Sequence, residues 1–197
     1  MVRSTTPAKR ADAQASMRKI VHAAIECLGR DASASTSEIA KVAGVGRVTL
    51  YSHFATREEL VEAALVEVLA EGDAVLDGLD LEGDPVEVLT ALIDSGWQLI
   101  AKSSALLQAA QKVLPPGRIQ DLHARPAERV EQLIRRGQRD GAFRSDLPSR
   151  WMAAAVHHLI HGAATDVADG RLAADEAPDL VLRTVFSGVL APGRVDA

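Results

Sequence analysis

Two short helical segments separated by glycine constrain the fold of this 197-residue chain more than any other feature. Residues 35–38 fit a capping box, in which the Ser35 hydroxyl accepts from the amide of Glu38 and the Glu38 carboxylate accepts from the amide of Ser35. The helix that begins there should end at Gly44, because glycine adopts the left-handed conformation that closes a helix and turns the chain. A second short helix, from about residue 46 to 53, follows the turn.

The second short helix has a polar side. Leu50 and Phe54 are four residues apart and therefore share its inward face, so the remaining side chains lie on other faces. A helix, a glycine turn and a second helix with a polar face make the helix-turn-helix arrangement, whose second helix lies in the major groove of DNA. This segment therefore predicts a DNA-binding unit.

The rest of the chain reads as helical. Only 3% of the residues are aromatic, and apolar residues recur at helical spacing in segment after segment. We predict an all-α fold of about nine helices with no strand, and a stop between two helices near Ser103.

Charge is unevenly distributed along the chain. Residues 1–57 carry nine Lys and Arg against four Asp and Glu, a net +5, whereas the remainder carries thirteen against twenty-three, a net −10. A basic head on an acidic body indicates that one end of the chain meets a polyanion. Residues 1–11 are expected to form a disordered basic arm, and no apolar run approaches the about 20 residues of a membrane span, so we expect a cytoplasmic protein.

The stretch "TSEIAKVAGVGRVTLYSHFATREELVEAAL" (residues 36–65) resembles the DNA-binding region of the tetracycline-repressor (TetR) family of bacterial regulators. The resemblance covers about residues 16–65, and beyond it only the chain length, the helix count and a corner at residues 141–147 match. It implies a helix-turn-helix DNA-binding domain over residues 12–57 and a helical ligand-binding and dimerisation domain over residues 58–197.

The resemblance also implies which side chains meet DNA. Arg47 would read guanine and Val48 a thymine methyl group, whereas Arg57 would grip the backbone. Gly46 stands where the family commonly has a capping Ser or Thr, and Ser52 is shorter than the residue often found there. The predicted DNA-binding residues are Thr36, Ser37, Arg47, Val48, Thr49, Tyr51, Ser52, His53 and Arg57.

By the same resemblance, we expect a repressor that a small, mainly apolar inducer releases from a palindromic operator. The small residues of the last two helices predict a homodimer interface. The candidate pocket residues are Trp97, Gln111, His123, Met152 and His158.

Two alternatives remain open at this point. His157 and His161 are four residues apart, a spacing that can bind a metal, so a small helical metalloenzyme using His157, His158, His161 and Asp166 is one alternative. The other is a DNA-binding regulator controlled by a protein partner. No Cys or suitably placed Glu accompanies the histidines, so we expect them to pack between helices or at a dimer interface, with no metal, no cofactor and no catalysis.

Overall fold

The computed structural model describes residues 7–78 and 82–191, with side chains from residue 11 onward. These residues form eight helices and, apart from an isolated bridge between Phe143 and Leu190, no β-structure, which confirms the predicted all-α class. The helices are α1 (Pro7–Arg30), α2 (Thr36–Val42), α3 (Arg47–His53), α4 (Arg57–Asp77), α5 (Pro85–Val113), α6 (Pro116–Arg139), α7 (Ser149–Ala168) and α8 (Ala177–Val189).

The predicted break near Ser103 was wrong, which is why eight helices replace the expected nine. The Ser103 hydroxyl donates to the carbonyl of Leu99 at 2.8 Å, and the Ser104 hydroxyl donates to that of Ala101 at 3.1 Å. Bonds of this kind keep a serine side chain within its own helix and stop it from competing with the helical backbone. α5 therefore runs without interruption through both serines.

The first helix begins earlier than the sequence indicated. α1 starts at Pro7, a residue whose fixed φ and missing N–H suit the first turn of a helix. Residues 7–11 of the expected disordered arm are thus helical, whereas its residues 1–6 lie outside the part of the chain that the structure describes.

Contacts divide the chain into two compact units, of which unit 1 is Met1–Val68 with Ala105–Ile119. Within it α1 packs on α2 and α3, and α2 packs on α3. Its core includes fully buried Ile20, Ile39 and Leu60. Cys27 is buried as well, and burial raises the pKa of its thiol, so this side chain packs as a small apolar residue of the core.

Unit 2 comprises Leu69–Ser104 and Gln120–Ala197. α7 packs on α8, and both contribute to one apolar core, with Val156 and Val185 among its buried members. The ring of Phe143 lies so close to Gly137 that a Cβ there would meet it at 2.2 Å. Glycine at position 137 thus lets the corner after α6 fold back onto its own helix.

No helix among the described residues has both the length and the apolar character needed to cross a membrane.

Candidate DNA-binding interface

Local hydrogen bonds fix where α2 begins and where it turns. Ser35 and Glu38 form both bonds of the predicted capping box, with the Ser35 amide donating to the Glu38 carboxylate at 2.7 Å and the Glu38 amide donating to the Ser35 hydroxyl at 3.2 Å. The Ser35 hydroxyl also donates to the Glu38 carboxylate, at 2.8 Å, and the two bonds that this carboxylate accepts from Ser35 lower its pKa because they favour the charged form. Gly44 then has φ +68°, which confirms that a left-handed glycine makes the turn between α2 and α3.

Buried apolar residues hold α3 on unit 1. Leu50 and Phe54 are 1% and 6% exposed, as the helical spacing predicted. The opposite side of the helix is open, since Val48 is 86% exposed and Tyr51 is 43% exposed. An exposed valine in the first turn of a helix gains nothing from folding, so its apolar surface remains available to a partner.

The structure brings the two short helices together through predicted DNA-binding residues. Thr36, in the first turn of α2, places its hydroxyl 3.1 Å from the Tyr51 hydroxyl on α3, and these oxygens share a hydrogen bond. Ser37 and Arg47 are exposed, and Thr49 and His53 are half-buried. The predicted residues of α2 and α3 thus belong to one compact unit, and Thr36 and Tyr51 fix the two helices relative to each other.

Ser52 has a partner within α3. Its hydroxyl donates to the carbonyl of Thr49 at 2.7 Å, so its proton is used locally and only its lone pairs face outward.

Arg57 has structural contacts that its sequence position did not indicate. Its two terminal nitrogens donate to the carbonyls of Ala34, at 2.6 Å, and Ala32, at 3.3 Å. Both carbonyls belong to the loop between α1 and α2, so the guanidinium at the start of α4 fastens the loop that leads into the first short helix. Its predicted contact with a DNA phosphate stays a prediction.

Two cationic side chains beside α2 and α3 were not among the predicted DNA-binding residues. Arg18 and Lys19 of α1 line a surface groove of about 660 Å³ together with Val42 and Gly44, at the end of α2. The sequence signal that could have found them was the positive charge of the first 57 residues. Their place in the fold depends on how α1 packs on α2, which spacing alone does not give.

The predicted ligand-pocket residues do not share one environment. Trp97 and Met152 are 5% and 2% exposed and belong to the core of unit 2, whereas His158 is exposed and its Nδ1 lies 2.6 Å from the carbonyl of Ala154. Gln111 is exposed and belongs to unit 1. A cavity of about 250 Å³ in unit 2 has a different lining, three of whose members are arginines: Leu76, Glu82, Leu92, Arg129, Gln132, Leu133, Arg136 and Arg139.

The fifth predicted pocket residue, His123 on α6, lies against the histidines of α7. Its ring centroid is 5.4 Å from that of His157 and 6.0 Å from that of His161, and the last two centroids are 4.3 Å apart. Burial, aided by neighbouring histidines, lowers the pKa of His157 to about 4 and that of His161 to about 3. At neutral pH both imidazoles are therefore uncharged.

The residue set of the metalloenzyme alternative is not assembled. His158 bonds to the backbone of its own helix, and the Asp166 carboxylate accepts from the guanidinium of Arg171 at 2.7 Å and 2.9 Å. Instead, the structure places His123 of α6 beside His157 and His161 of α7. α6 begins at Pro116, which is 41 residues before His157 in the sequence. Sequence spacing carries no signal for that contact.

Comparison with known proteins points to the same segment of the chain as the geometry does, the helix pair α2 and α3. The family described as "Bacterial regulatory proteins, tetR family" matches residues 20–64, which include α2, the turn and α3. The transcriptional regulator UidR of Escherichia coli K12 is 23% identical over 186 residues, which are 91% of this chain and 95% of that protein.

Solved structures extend the likeness over most of the chain. The TetR transcriptional regulator SCO0520 of Streptomyces coelicolor is 28% identical with a TM-score of 0.58, and the match covers 86% of this chain and 97% of that one. A transcriptional regulator of Saccharomonospora viridis in complex with choline is 20% identical with a TM-score of 0.75, covering 88% and 97%. The glycine-turned helix pair and its exposed second helix lie within residues 20–64, the segment that matches the tetR family of bacterial regulatory proteins.

Proposed function

We propose that this protein is a transcriptional repressor that binds operator DNA through α3 and leaves it when a small molecule binds. The observation that carries the proposal is the outer face of α3, where Val48 is 86% exposed beside exposed Arg47 while Leu50 anchors the helix from the other side. A recognition helix needs this division, because its base contacts must be rigidly held and yet free of protein partners.

The other predicted contacts are assigned to phosphates and to bases that flank those read by Arg47 and Val48. Thr36 and Ser37 open α2, where free backbone N–H groups and hydroxyls suit a phosphate. Thr49, Tyr51, Ser52 and His53 follow along α3, and we propose that they meet phosphates and flanking bases. We add Arg18 and Lys19 to this set, because both cations line the groove at the end of α2.

A homodimer is the second part of the proposal. α7 and α8 carry partly exposed Leu159 and Leu180, at 38% and 43%, on the two sides of a surface groove. Gly162 lies in this groove, and a Cβ built there meets no atom within 4 Å, so nothing within the described chain requires a glycine. A second copy would use that space, because small residues let helices approach closely, and a two-fold dimer matches a palindromic site.

We propose that the effector is a small molecule. We propose further that the protein acts as a regulator and not as an enzyme, and that it does so in the cytoplasm, where bacterial DNA is. The choline complex of the Saccharomonospora viridis regulator supports a small-molecule effector, since that protein has a similar fold. The mainly apolar character of the inducer stays a prediction. Inducer and operator should each lower the affinity for the other by the same factor, with a coupling of about 1–3 kcal/mol.

Selection from a random duplex library tests the proposal. The protein should enrich an inverted repeat whose half-sites are about one helical turn apart, and it should sediment as a dimer at micromolar concentration. Gly162→Leu should shift the protein toward monomer and weaken binding to the inverted repeat, whereas Gly117→Ala, at an exposed position with open space, should change neither. A monomer that enriches single half-sites would overturn the dimer, and enrichment of no sequence would overturn the function.

A further inference from the structure

Three imidazoles from two helices of unit 2 converge on one point. His123 comes from α6, and His157 and His161 come from successive turns of α7. One ring nitrogen from each residue lies within 4.8 Å of the other two. Three nitrogen ligands at such separations are an arrangement that ordinary helix packing does not require, since apolar side chains fill helix interfaces more cheaply.

The cluster contains a polar atom without a partner. Nδ1 of His161 is buried and has no hydrogen-bond partner in the described structure. Buried polar atoms in folded proteins almost always have a hydrogen-bond partner, so an atom without one calls for an explanation. A bound cation is one, because a metal ion takes the lone pair that no protein donor occupies.

The geometry points to a site for one divalent transition-metal ion, zinc or a neighbour in the series, held by His123, His157 and His161. Imidazole nitrogen suits zinc, copper, nickel and cobalt, whereas magnesium and calcium require oxygen ligands. A tetrahedral zinc ion with bonds of about 2.0–2.1 Å holds its nitrogens about 3.4 Å apart, so each ring would move inward by at most about 1 Å. Three protein ligands leave a fourth position for water or another small ligand.

The uncharged state of His157 and His161 agrees with this assignment. Imidazole binds metal only when it is neutral, and the burial that keeps His157 and His161 neutral at pH 7 removes competition by protons. The site differs from the histidine set that sequence spacing suggested, because His158 is exposed and directed to the Ala154 carbonyl. It lies wholly within unit 2, and its existence does not depend on DNA binding by unit 1.

Titration of tag-free, chelator-treated protein with cobalt(II) tests the site, because cobalt reports its ligand field by visible absorption. We expect saturation at one equivalent per chain, displacement of cobalt by zinc, and a rise in Tm when zinc binds. His157→Gln and His161→Gln should each lower the affinity for cobalt at least about tenfold. His158→Gln removes a neighbouring but exposed imidazole from the same helix and should bind cobalt as the wild type does.

Two measurements keep the test decisive if a cluster variant does not fold. The wild type and His158→Gln should both show the one-equivalent spectrum and the zinc-dependent rise in Tm. Absence of either response in the wild type would overturn the site. So would several weak equivalents, or an equal loss of affinity in His158→Gln and a folded His157→Gln, since both results describe adventitious binding by surface histidines.

Discussion

The hydroxyls of Thr36 and Tyr51 lie 3.1 Å apart, and their hydrogen bond joins the first turn of α2 to the middle of α3. Both residues were predicted to contact DNA, so one bond orders two proposed contacts at once. A bond that fixes the angle between the helices of the pair should matter more for DNA affinity than for stability.

A double-mutant cycle on this pair tests that claim. Tyr51→Phe and Thr36→Val should each cost no more than about 1 kcal/mol of unfolding free energy, because both hydroxyls are accessible to water. Each should weaken operator binding, and the double variant should be less impaired than the sum of the two, which fluorescence anisotropy can measure. Strictly additive losses would show that the two hydroxyls act on DNA independently.

Substitutions of Arg57 and Arg47 should have different effects on stability and on DNA binding. Arg57→Ala removes two bonds from a charged donor to the loop carbonyls and should lower unfolding free energy by about 1.5–3 kcal/mol, with weaker binding to every duplex. If Arg57 also neutralises a phosphate, the slope of log affinity against log salt concentration should become shallower by about 0.9 in Arg57→Ala. An unchanged slope would mean that Arg57 only fastens the loop. Arg47→Ala, at an exposed position, should leave denaturant midpoints unchanged.

The two glycines around the turn should respond in opposite directions. Gly44→Ala forces a Cβ into the left-handed region at φ +68° and should cost about 1–2 kcal/mol. Gly46 caps α3 with φ −72° and ψ 151°, and a Cβ there meets only the Thr49 hydroxyl at 4.0 Å. Gly46→Ser should therefore add a capping bond and gain about 0.3 kcal/mol. Urea denaturation of both variants measures these changes in unfolding free energy. Destabilisation by Gly46→Ser would contradict the cap geometry.

Metal-free protein should lose stability in acid through the partly buried His157 and His161. The native pKa values of His157 and His161, about 4 and about 3, lie below the ordinary value of 6.5. The unfolded chain thus binds more protons between pH 6.5 and 3, and unfolding free energy should fall as pH falls through this window. Urea midpoints in the presence of chelator should show a shallower fall for His157→Gln than for His158→Gln. Parallel curves for the two variants would contradict the burial of a neutral His157.

Local signals predicted much of the fold and less of the sites. The capping box at Ser35 and the left-handed Gly44 were predictable, because each depends on residues within a few positions of one another. The bond from Arg57 to Ala34 spans 23 residues, and the contact of His123 with His157 joins separate helices. Such contacts follow from how helices pack, which periodicity does not encode. For the same reason the spacing of Trp97 could not show that its side chain is 5% exposed in the core of unit 2, and its predicted pocket role stays a prediction.

Base-pair preference at the operator tests the central claim, that the exposed face of α3 reads DNA, most directly. The duplex enriched by the wild type is varied one base pair at a time, and affinities are measured for the wild type, Arg47→Ala and, as a control, Arg183→Ala, which removes an exposed arginine of unit 2. We predict that Arg47→Ala loses about 1–3 kcal/mol of discrimination at one base pair, the same one in each half-site of the inverted repeat. Arg183→Ala should keep the wild-type profile of base-pair preference. Identical profiles for Arg47→Ala and the wild type at every position would contradict the account.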